Sequence, residues 1–254
     1  MRNLKVAVVQ VDLVWENAQA NLDLLSSQLV GIAEADLVLL PEMFASGFSM
    51  NPAKVAQSME GSAVQWLKDQ SRRFALCGSL AIAENGTYVN RFFYADQGEI
   101  KGYYDKRHLF GYAQEDEHYT AGSSLFRFTH RGWNLAAFVC YDLRFPAWIR
   151  QCAGADALLF VANWPERRAE AWNALLRARA IENQAYVLAC NRTGIDAHGI
   201  SYRGDSQVLD MAGDYVLPPQ QKEGVYFAEL HSEALQAFRR QFPFLNDRDS
   251  FEFQ

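Results

Sequence analysis

The sequence predicts an α/β fold that forms a single domain over residues 1–254. Three observations support this prediction. Short apolar runs typical of buried strands alternate with segments whose apolar residues recur at helical spacing. No stretch rich in Pro, Gly or Ser, no low-complexity tract and no block of charge divides the chain. A chain of 254 residues also lies within the range of single α/β domains and can bury enough surface to hold a core.

The strand predictions rest on runs of apolar residues, many of them β-branched, that end at polar or turn-forming residues. Buried strands are predicted at residues 4–11, 35–40, 76–83, 134–140, 155–162, 185–190, 206–211 and 225–230. The segment 87–109 alternates aromatic and polar residues without helical spacing, which favours the strands of a hairpin.

The helix predictions fall between these strands. Helices are predicted at residues 17–33, 62–74 and 169–184, with a shorter helical run at 147–154. In the first helix, Leu22, Leu25 and Leu29 recur on one face, and Ser62 is the predicted N-cap of the second. The alanines of the third favour helix.

The charge balance argues against two classes of partner. The chain has 24 Lys and Arg against 30 Asp and Glu, a net charge of −6, and no long basic run. Neither nucleic acid nor an anionic membrane is therefore an expected partner. The sequence has no signal-peptide pattern and no apolar window of about 18 residues, so a cytoplasmic location is expected.

Cysteine usage agrees with that location. Cys77, Cys140, Cys152 and Cys190 form no CxxC pair and no disulfide framework, so they are interpreted as free thiols. Three of them lie in or beside apolar runs and are expected to be packing residues, whereas Cys140 ends a predicted strand at a sharp turn before Arg-Phe-Pro. On such a turn the sulfur can face a cleft as a nucleophile; the alternative is a buried, inert thiol.

Two charged residues, Glu42 and Lys106, are likewise each open to a structural and a functional interpretation. Glu42 follows the apolar run LVLLP, so it is either a solvated loop acid or a partly desolvated carboxylate suited to general-base catalysis. Lys106, in YYDKRHLF, either extends to the surface or holds its ammonium in a pocket. In a pocket the ammonium would stabilise negative charge and lower the pKa of a neighbouring thiol.

Taken together, PE at Glu42, DKRHL at Lys106 and VCYDLRFP at Cys140 resemble the nitrilase, or carbon–nitrogen hydrolase, superfamily. The resemblance covers nearly the whole chain, from LKVAVVQ through NRFFYADQGEI and HYTAG to WNALLRARAIENQAYVLACNRTG. NWPERRAEAW and RRQFPFLNDRDSF favour the omega-amidase branch, which hydrolyses 2-oxoglutaramate and related omega-amides. This resemblance implies a four-layer αββα sandwich, with protomers pairing into a homodimer to which residues 239–253 are candidate contributors.

The resemblance also implies roles for individual residues. Glu42 matches the general base, Lys106 the oxyanion-stabilising lysine and Cys140 the nucleophile. Glu115 matches a second glutamate beside the lysine, and Glu117 is the competing alignment. The backbone N–H of Tyr141 is the expected second oxyanion donor.

One position departs from the family pattern. Many relatives have Glu after CYDLRFP, where this chain has Ala147. If that Glu is a structural partner of Arg144, its absence places the local salt bridge in doubt, not the chemistry.

The implied reaction is hydrolysis of an omega-amide to an acid and ammonia through a Cys thioester. Such a substrate keeps a distal carboxylate that a guanidinium would suit, and the sequence does not choose among Arg144, Arg167, Arg168 and Arg203. Another amidase, a carbamoylase or a nitrilase of the superfamily is the nearest alternative; a non-catalytic binding module on the same fold is the alternative from another class.

No cofactor or metal is expected. The chain has no GxGxxG or GxxxxGK[ST] loop, and its five histidines form no HxH or HExxH pair. His108, within KRHLF, is interpreted as a packing or hydrogen-bonding residue.

Overall fold

Two six-stranded sheets form the centre of the structure, a computed structural model that describes residues 2–251. From edge to edge, the first sheet contains β14 (Gly224–Leu230), β1 (Leu4–Gln10), β2 (Leu37–Leu39), β3 (Ala75–Glu84), β4 (Thr87–Asp96) and β5 (Glu99–Asp105). The second contains β13 (Tyr215–Gln220), β12 (Ser206–Leu209), β9 (Tyr186–Cys190), β8 (Ala157–Val161), β7 (Trp133–Val139) and β6 (Arg127–His130). A separate hairpin pairs β10 (Thr193–Ile195) with β11 (Ser201–Arg203).

Some helices cover the outer faces of the two sheets, and others lie in the segments that connect the strands. The helices are α1 (Ala18–Val30), α2 (Pro52–Val55), α3 (Ser62–Gln70), α4 (Glu115–His118), α5 (Pro146–Arg150), α6 (Ala169–Asn183) and α7 (Ser232–Gln241). Asn17 caps α1 by accepting the N–H of Ala20. The prediction of Ser62 as a cap is wrong: Ser62 is the first helical residue of α3, and Gly61 precedes it without a side-chain cap.

The alternation of side chains along the strands gives the sheets their layers. Val6 and Phe92 on the inner face of the first sheet share an apolar cluster with Phe138 of the second. The opposite face of the first sheet, including Val9, packs on α1 and α3, while Trp172 of α6 packs on the second. The layers are therefore helix, sheet, sheet and helix, which confirms the predicted fold class.

Each predicted strand has a counterpart, but several elements were not predicted. The segment 87–109 forms β4 and β5 as a hairpin and leaves the sheet after Asp105. The sequence analysis missed β6, β10, β11, β13 and α7, which are short or largely exposed. Elements that bury little apolar surface carry little periodic signal.

Parallel pairing brings strand ends together. In the first sheet β2 lies between β1 and β3 and runs parallel to both; in the second, β8 lies parallel between β7 and β9. Side chains that follow the carboxyl ends of parallel strands leave the packed sheet at one edge and face a crevice. Glu42 follows β2, and Cys140 follows β7. Within residues 2–251, no helix has the length and hydrophobicity needed to cross a membrane.

A buried histidine joins the two sheets away from that edge. The Nδ1 atom of His130 lies 2.9 Å from the hydroxyl of Tyr94, and its Nε2 lies 3.0 Å from the carbonyl oxygen of Asp36. A carbonyl only accepts, so Nε2 carries the proton and Nδ1 of the neutral ring accepts from Tyr94. Burial lowers the pKa of His130, against the opposing charge of Asp96.

This histidine predicts a pH dependence of stability. Below about pH 6.5, His130 binds a proton in the unfolded chain but stays neutral in the folded protein, because its pKa there is lowered. The free energy of unfolding should therefore fall as pH decreases, by at most about 1.4 kcal/mol per pH unit. Urea denaturation at pH 8 and pH 5.5 measures this loss. His130→Gln should reduce the loss, and His118→Gln, at an exposed position, should leave it unchanged. An equal loss in wild type and His130→Gln would contradict the assignment.

Candidate active site

Glu42 lies three residues beyond the last residue of β2 and is fully buried. The chain turns at Met43, whose φ of +45° lies in the left-handed region that residues other than glycine rarely adopt. Ser79 holds this turn: its Oγ accepts the N–H of Met43 at 2.9 Å and its carbonyl oxygen accepts the N–H of Phe44 at 3.0 Å. The carboxylate is thus fixed at a strand end, and it is buried more deeply than the sequence suggested.

Cys140 directly follows β7 and begins a short 3₁₀ helix, Cys140–Arg144. Its φ is +46°, so a second left-handed residue stands at a second strand end. The thiol is half-buried beside a cavity, whereas the other three cysteines are buried, as predicted for packing residues. The amide groups of a helix's first turn have no acceptor within the helix, and the N–H of Tyr141 belongs to that turn.

Asp142 anchors the turn that carries Cys140. Its buried carboxylate accepts the N–H of Val139 at 2.9 Å, the hydroxyl of Tyr104 at 2.9 Å and the N–H of His108 at 3.0 Å. The ring of His108 lies 2.8 Å away through Nδ1 and stacks on Phe145. These contacts place His108 in the support of the turn, in agreement with its interpretation as a packing and hydrogen-bonding residue.

Lys106 extends from the residue after β5 into a fully buried charge cluster. Its Nζ lies 2.9 Å from Glu42 Oε1 and 2.8 Å from Glu115 Oε2. Gly122 fixes the lysine backbone by donating its N–H to the Lys106 carbonyl oxygen at 2.9 Å. A Cβ at this glycine would overlap the carbonyl of Asp105, so only glycine fits this close approach.

The structure brings Glu115, and not Glu117, into this cluster. Glu115 begins α4 and accepts the N–H of Phe110 at 2.6 Å, while its carbonyl accepts the N–H of Tyr119 at 2.8 Å. Glu117 is exposed on the same short helix. Of the two glutamates considered from the sequence, Glu115 is therefore the one that contacts Lys106.

Two asparagines that the sequence analysis did not identify complete the surroundings of Glu42. Asn90 donates to Oε1 at 2.8 Å, so Oε1 holds two donors, Asn90 and Lys106. The backbone N–H of Asn163 donates to Oε2 at 2.8 Å, and its side-chain amide donates to the Glu42 carbonyl at 2.7 Å. The thiol of Cys140 also contacts the Glu42 carboxylate. Asn163 could have been identified from its position alone, because it follows β8 in the same way as Glu42 follows β2.

Two carboxylates and one ammonium leave this buried cluster with an excess negative charge. Burial would lower the pKa of Lys106, but attraction to Glu115 and Glu42 outweighs it and raises the pKa, so the ammonium persists. Burial raises the pKa of Glu115, and Lys106 opposes that rise. Burial and repulsion by Glu42 raise the pKa of Cys140 well above its usual range; Lys106 lowers it by less. Lys106 therefore lowers the thiol pKa, as expected, but burial and the negative charge of Glu42 outweigh it.

A cavity of about 180 Å³ opens beside Cys140. Aromatic rings form much of its wall, including Phe48, Phe110, Tyr141 and Trp164. The ring of Phe48 lies 5.1 Å from Nζ of Lys106, which places the charge cluster next to the cavity. The volume and the aromatic wall suit a small organic molecule.

Three of the four arginines considered from the sequence contribute to the cavity wall: Arg144, Arg167 and Arg168. Arg203 lies elsewhere and pairs with Asp205 at 2.6 Å. The sequence left a salt bridge of Arg144 in doubt, because Ala147 stands where many relatives have Glu. In the structure, the Arg144 guanidinium lies over the ring of Trp164, 5.1 Å from its centroid.

Among residues 2–251, no group of three or more His, Cys, Asp or Glu side chains is placed to hold a metal ion. The described part of residues 239–253 contacts its own chain: Arg239 donates to Asp156 at 3.0 Å. Residues 252–253 lie outside the described range.

Comparison with known proteins agrees with this geometry. The sequence profile "Carbon-nitrogen hydrolase" matches residues 5–240. The chain is 43% identical to the omega-amidase YafV of Escherichia coli K12 over 99% of both chains. It is 34% identical to the 2-oxoglutaramate amidase of Bacillus subtilis 168, covering 84% of this chain and 85% of that one.

Among solved structures, XC1258 from Xanthomonas campestris superposes with a TM-score of 0.96 at 38% identity over 100% of both chains. It is described as a CN-hydrolase superfamily protein with an arsenic adduct in the active site. These findings confirm the resemblance deduced from the Glu, Lys and Cys motifs. The chain belongs to the carbon–nitrogen hydrolase family.

Proposed function

We propose that this protein hydrolyses the terminal amide of short dicarboxylic monoamides to the acid and ammonia, with 2-oxoglutaramate as its preferred substrate. The observation that carries the proposal is the position of a half-buried thiol between a buried Glu–Lys–Glu cluster and a small cavity whose wall contains guanidinium groups. The names of the relatives, omega-amidase and 2-oxoglutaramate amidase, support the substrate class.

In the first half-reaction, Glu42 removes the proton from the Cys140 thiol as the sulfur attacks the amide carbon. The raised pKa of the thiol requires this coupling, because little thiolate exists before attack. The Glu42 carboxylate is the accepting group, because it contacts the thiol. The tetrahedral intermediate then collapses: the carbon–nitrogen bond breaks, Glu42 returns the proton to the leaving nitrogen, and ammonia and a thioester result.

In the second half-reaction, water attacks the thioester carbon and gives a proton to Glu42. The carbon–sulfur bond breaks, the carboxylic acid leaves, and the proton returns to the sulfur of Cys140. One carboxylate serves both steps because proton transfer reverses direction between them. This sequence of steps uses no cofactor.

Lys106 and the N–H of Tyr141 stabilise the oxyanion in both steps. The ammonium contacts Glu42 Oε1 and both carboxylate oxygens of Glu115. When substrate binds, one of its three N–H groups turns from Glu115 to the substrate oxygen. Removing one such donor costs about 3–4 kcal/mol of transition-state stabilisation in comparable sites. Glu115 holds the ammonium in place and is a supporting residue in this mechanism.

The proposal includes the setting in which the enzyme works. It acts as a single domain in the cytoplasm on a small-molecule substrate, with neither nucleic acid nor membrane as partner. Two copies pair as a homodimer. The net charge of −6 supports the absence of nucleic-acid and membrane partners, the free cysteines support the cytoplasmic location, and the family resemblance implies the homodimer.

A substrate panel tests the function. We expect kcat/KM for 2-oxoglutaramate to exceed that for butyramide by at least about tenfold, because the distal carboxylate gains charge-assisted hydrogen bonds. The methyl ester of 2-oxoglutaramate should lose much of this advantage, and butyronitrile should react poorly because it lacks the amide oxygen. Ammonia release is the measurement, and carbon dioxide release would identify a carbamoylase instead. Equal values for 2-oxoglutaramate and butyramide would reduce the assignment to a general short-chain amidase.

A further inference from the structure

Three guanidinium groups in the cavity wall have no acidic partner. Within residues 2–251, Arg144, Arg167 and Arg168 form no ion pair, and each instead lies over an aromatic ring. Other arginines, such as Arg91 and Arg192, pair with carboxylates in the same structure. Charges withdrawn from water are normally compensated, so the cavity wall lacks an anion that a ligand can supply.

The three arginines differ in depth. Arg167 is exposed and lies over Tyr112, a ring that is itself 77% exposed. Arg144 and Arg168 are half-buried. Burial and the charges of Arg167 and Arg144 lower the pKa of Arg168, which a bound anion would relieve. The two inner guanidinium groups therefore gain most from a negatively charged ligand.

The rings beneath the inner pair are fixed to the reactive centre. Arg168 lies 5.0 Å from the centroid of Phe110, whose backbone N–H binds Glu115 at 2.6 Å. Arg144 lies 5.1 Å from the centroid of Trp164, which directly follows the Asn163 that binds Glu42. The Arg168 guanidinium thus lies over a residue whose own N–H binds Glu115, and the Arg144 guanidinium over a residue whose neighbour's N–H binds Glu42. This arrangement fixes the distance between a bound anion and the reacting carbon.

We propose that Arg144 and Arg168 together bind the distal carboxylate of the substrate, and that Arg167 does not. The inference rests on the proposed function, because it assigns the specificity of the same site. A carboxylate has two oxygens and about four acceptor positions, so it can receive both guanidinium groups. Binding there holds the far end of a short chain while its amide carbon lies against Cys140.

The test compares Arg144→Gln, Arg168→Gln and the double variant with the matched control Arg167→Gln. Each is measured with 2-oxoglutaramate and with butyramide. Each inner variant should lower kcat/KM for 2-oxoglutaramate by about 10- to 100-fold, mainly through KM, and change that for butyramide by less than about threefold. The double variant should abolish the preference for the carboxylate substrate. Arg168→Lys should recover only part of the loss, because lysine keeps the charge without the planar pair of donors.

Two results would overturn the assignment. If Arg167→Gln loses as much activity toward 2-oxoglutaramate as the inner variants, the carboxylate is bound at the exposed edge. If butyramide hydrolysis falls in parallel with 2-oxoglutaramate hydrolysis, the inner arginines support the fold instead of binding substrate. Failure of the proposed function is distinguishable from both, since wild type would then show no preference for 2-oxoglutaramate over butyramide.

Discussion

Replacing Cys140 with alanine is expected to abolish turnover and leave the fold intact. No other cysteine lies at the cavity in residues 2–251, so nothing replaces the lost nucleophile. Cys140→Ser should also be inactive, because a hydroxyl beside the same carboxylate is a much poorer nucleophile than sulfur. Ammonia release from 2-oxoglutaramate measures the loss, and circular dichroism checks the fold.

The control is Cys152→Ala, which removes a buried thiol away from the cavity. It should lower the free energy of unfolding, by about 1 kcal/mol, and preserve kcat. More than about 1% residual turnover in purified Cys140→Ala would show that another group attacks the amide, against the mechanism proposed here.

Replacing Glu42 with glutamine is expected to slow both half-reactions by a factor on the order of 100 or more. Glutamine keeps the size of the side chain and removes the proton acceptor. Since the pKa of the thiol is raised, the first step then lacks the carboxylate that contacts the thiol. Rapid-quench mass spectrometry of the enzyme follows formation and loss of the acyl-enzyme separately.

The matched control is Glu117→Gln, the same change at an exposed position two residues from Glu115. Its turnover should equal that of wild type. If Glu42→Gln acylates and releases product rapidly, Glu42 is not the base, and Glu115 becomes the first residue to examine.

The sequence identified residues whose local pattern is strong. Glu42 and Cys140 each end an apolar strand, and the parallel neighbours of β2 and β7 could be expected from the alternation of strands and helices. Lys106 and Glu115 had no such pattern of their own. Lys106 was a candidate from its aromatic surroundings alone, but only the family resemblance favoured its role and identified Glu115, because a lysine beside aromatic residues and a glutamate in an acidic run are common on surfaces.

Other features depended on contacts between distant segments and left no local trace. Asn90 and Asn163 reach Glu42 from positions 48 and 121 residues away, so no spacing rule connects them. The net direction of the Cys140 pKa could not be predicted for the same reason. A neighbouring lysine was visible in the motifs, but the complete burial of two carboxylates around it was not.

The placement of the reactive residues has a consequence for how this protein can diverge. Cys140 and Glu42 stand at the ends of strands that are buried in the sandwich, whereas much of the cavity wall comes from outside the two sheets, from residues 164–168 and from the hairpin of β10 and β11. Mutations in those segments can accumulate without disturbing the strands that set the nucleophile and the base. Selection for a new amide therefore acts on a few segments outside the sheets, and descendants of one ancestral hydrolase can exchange substrates while inheriting the same chemical step.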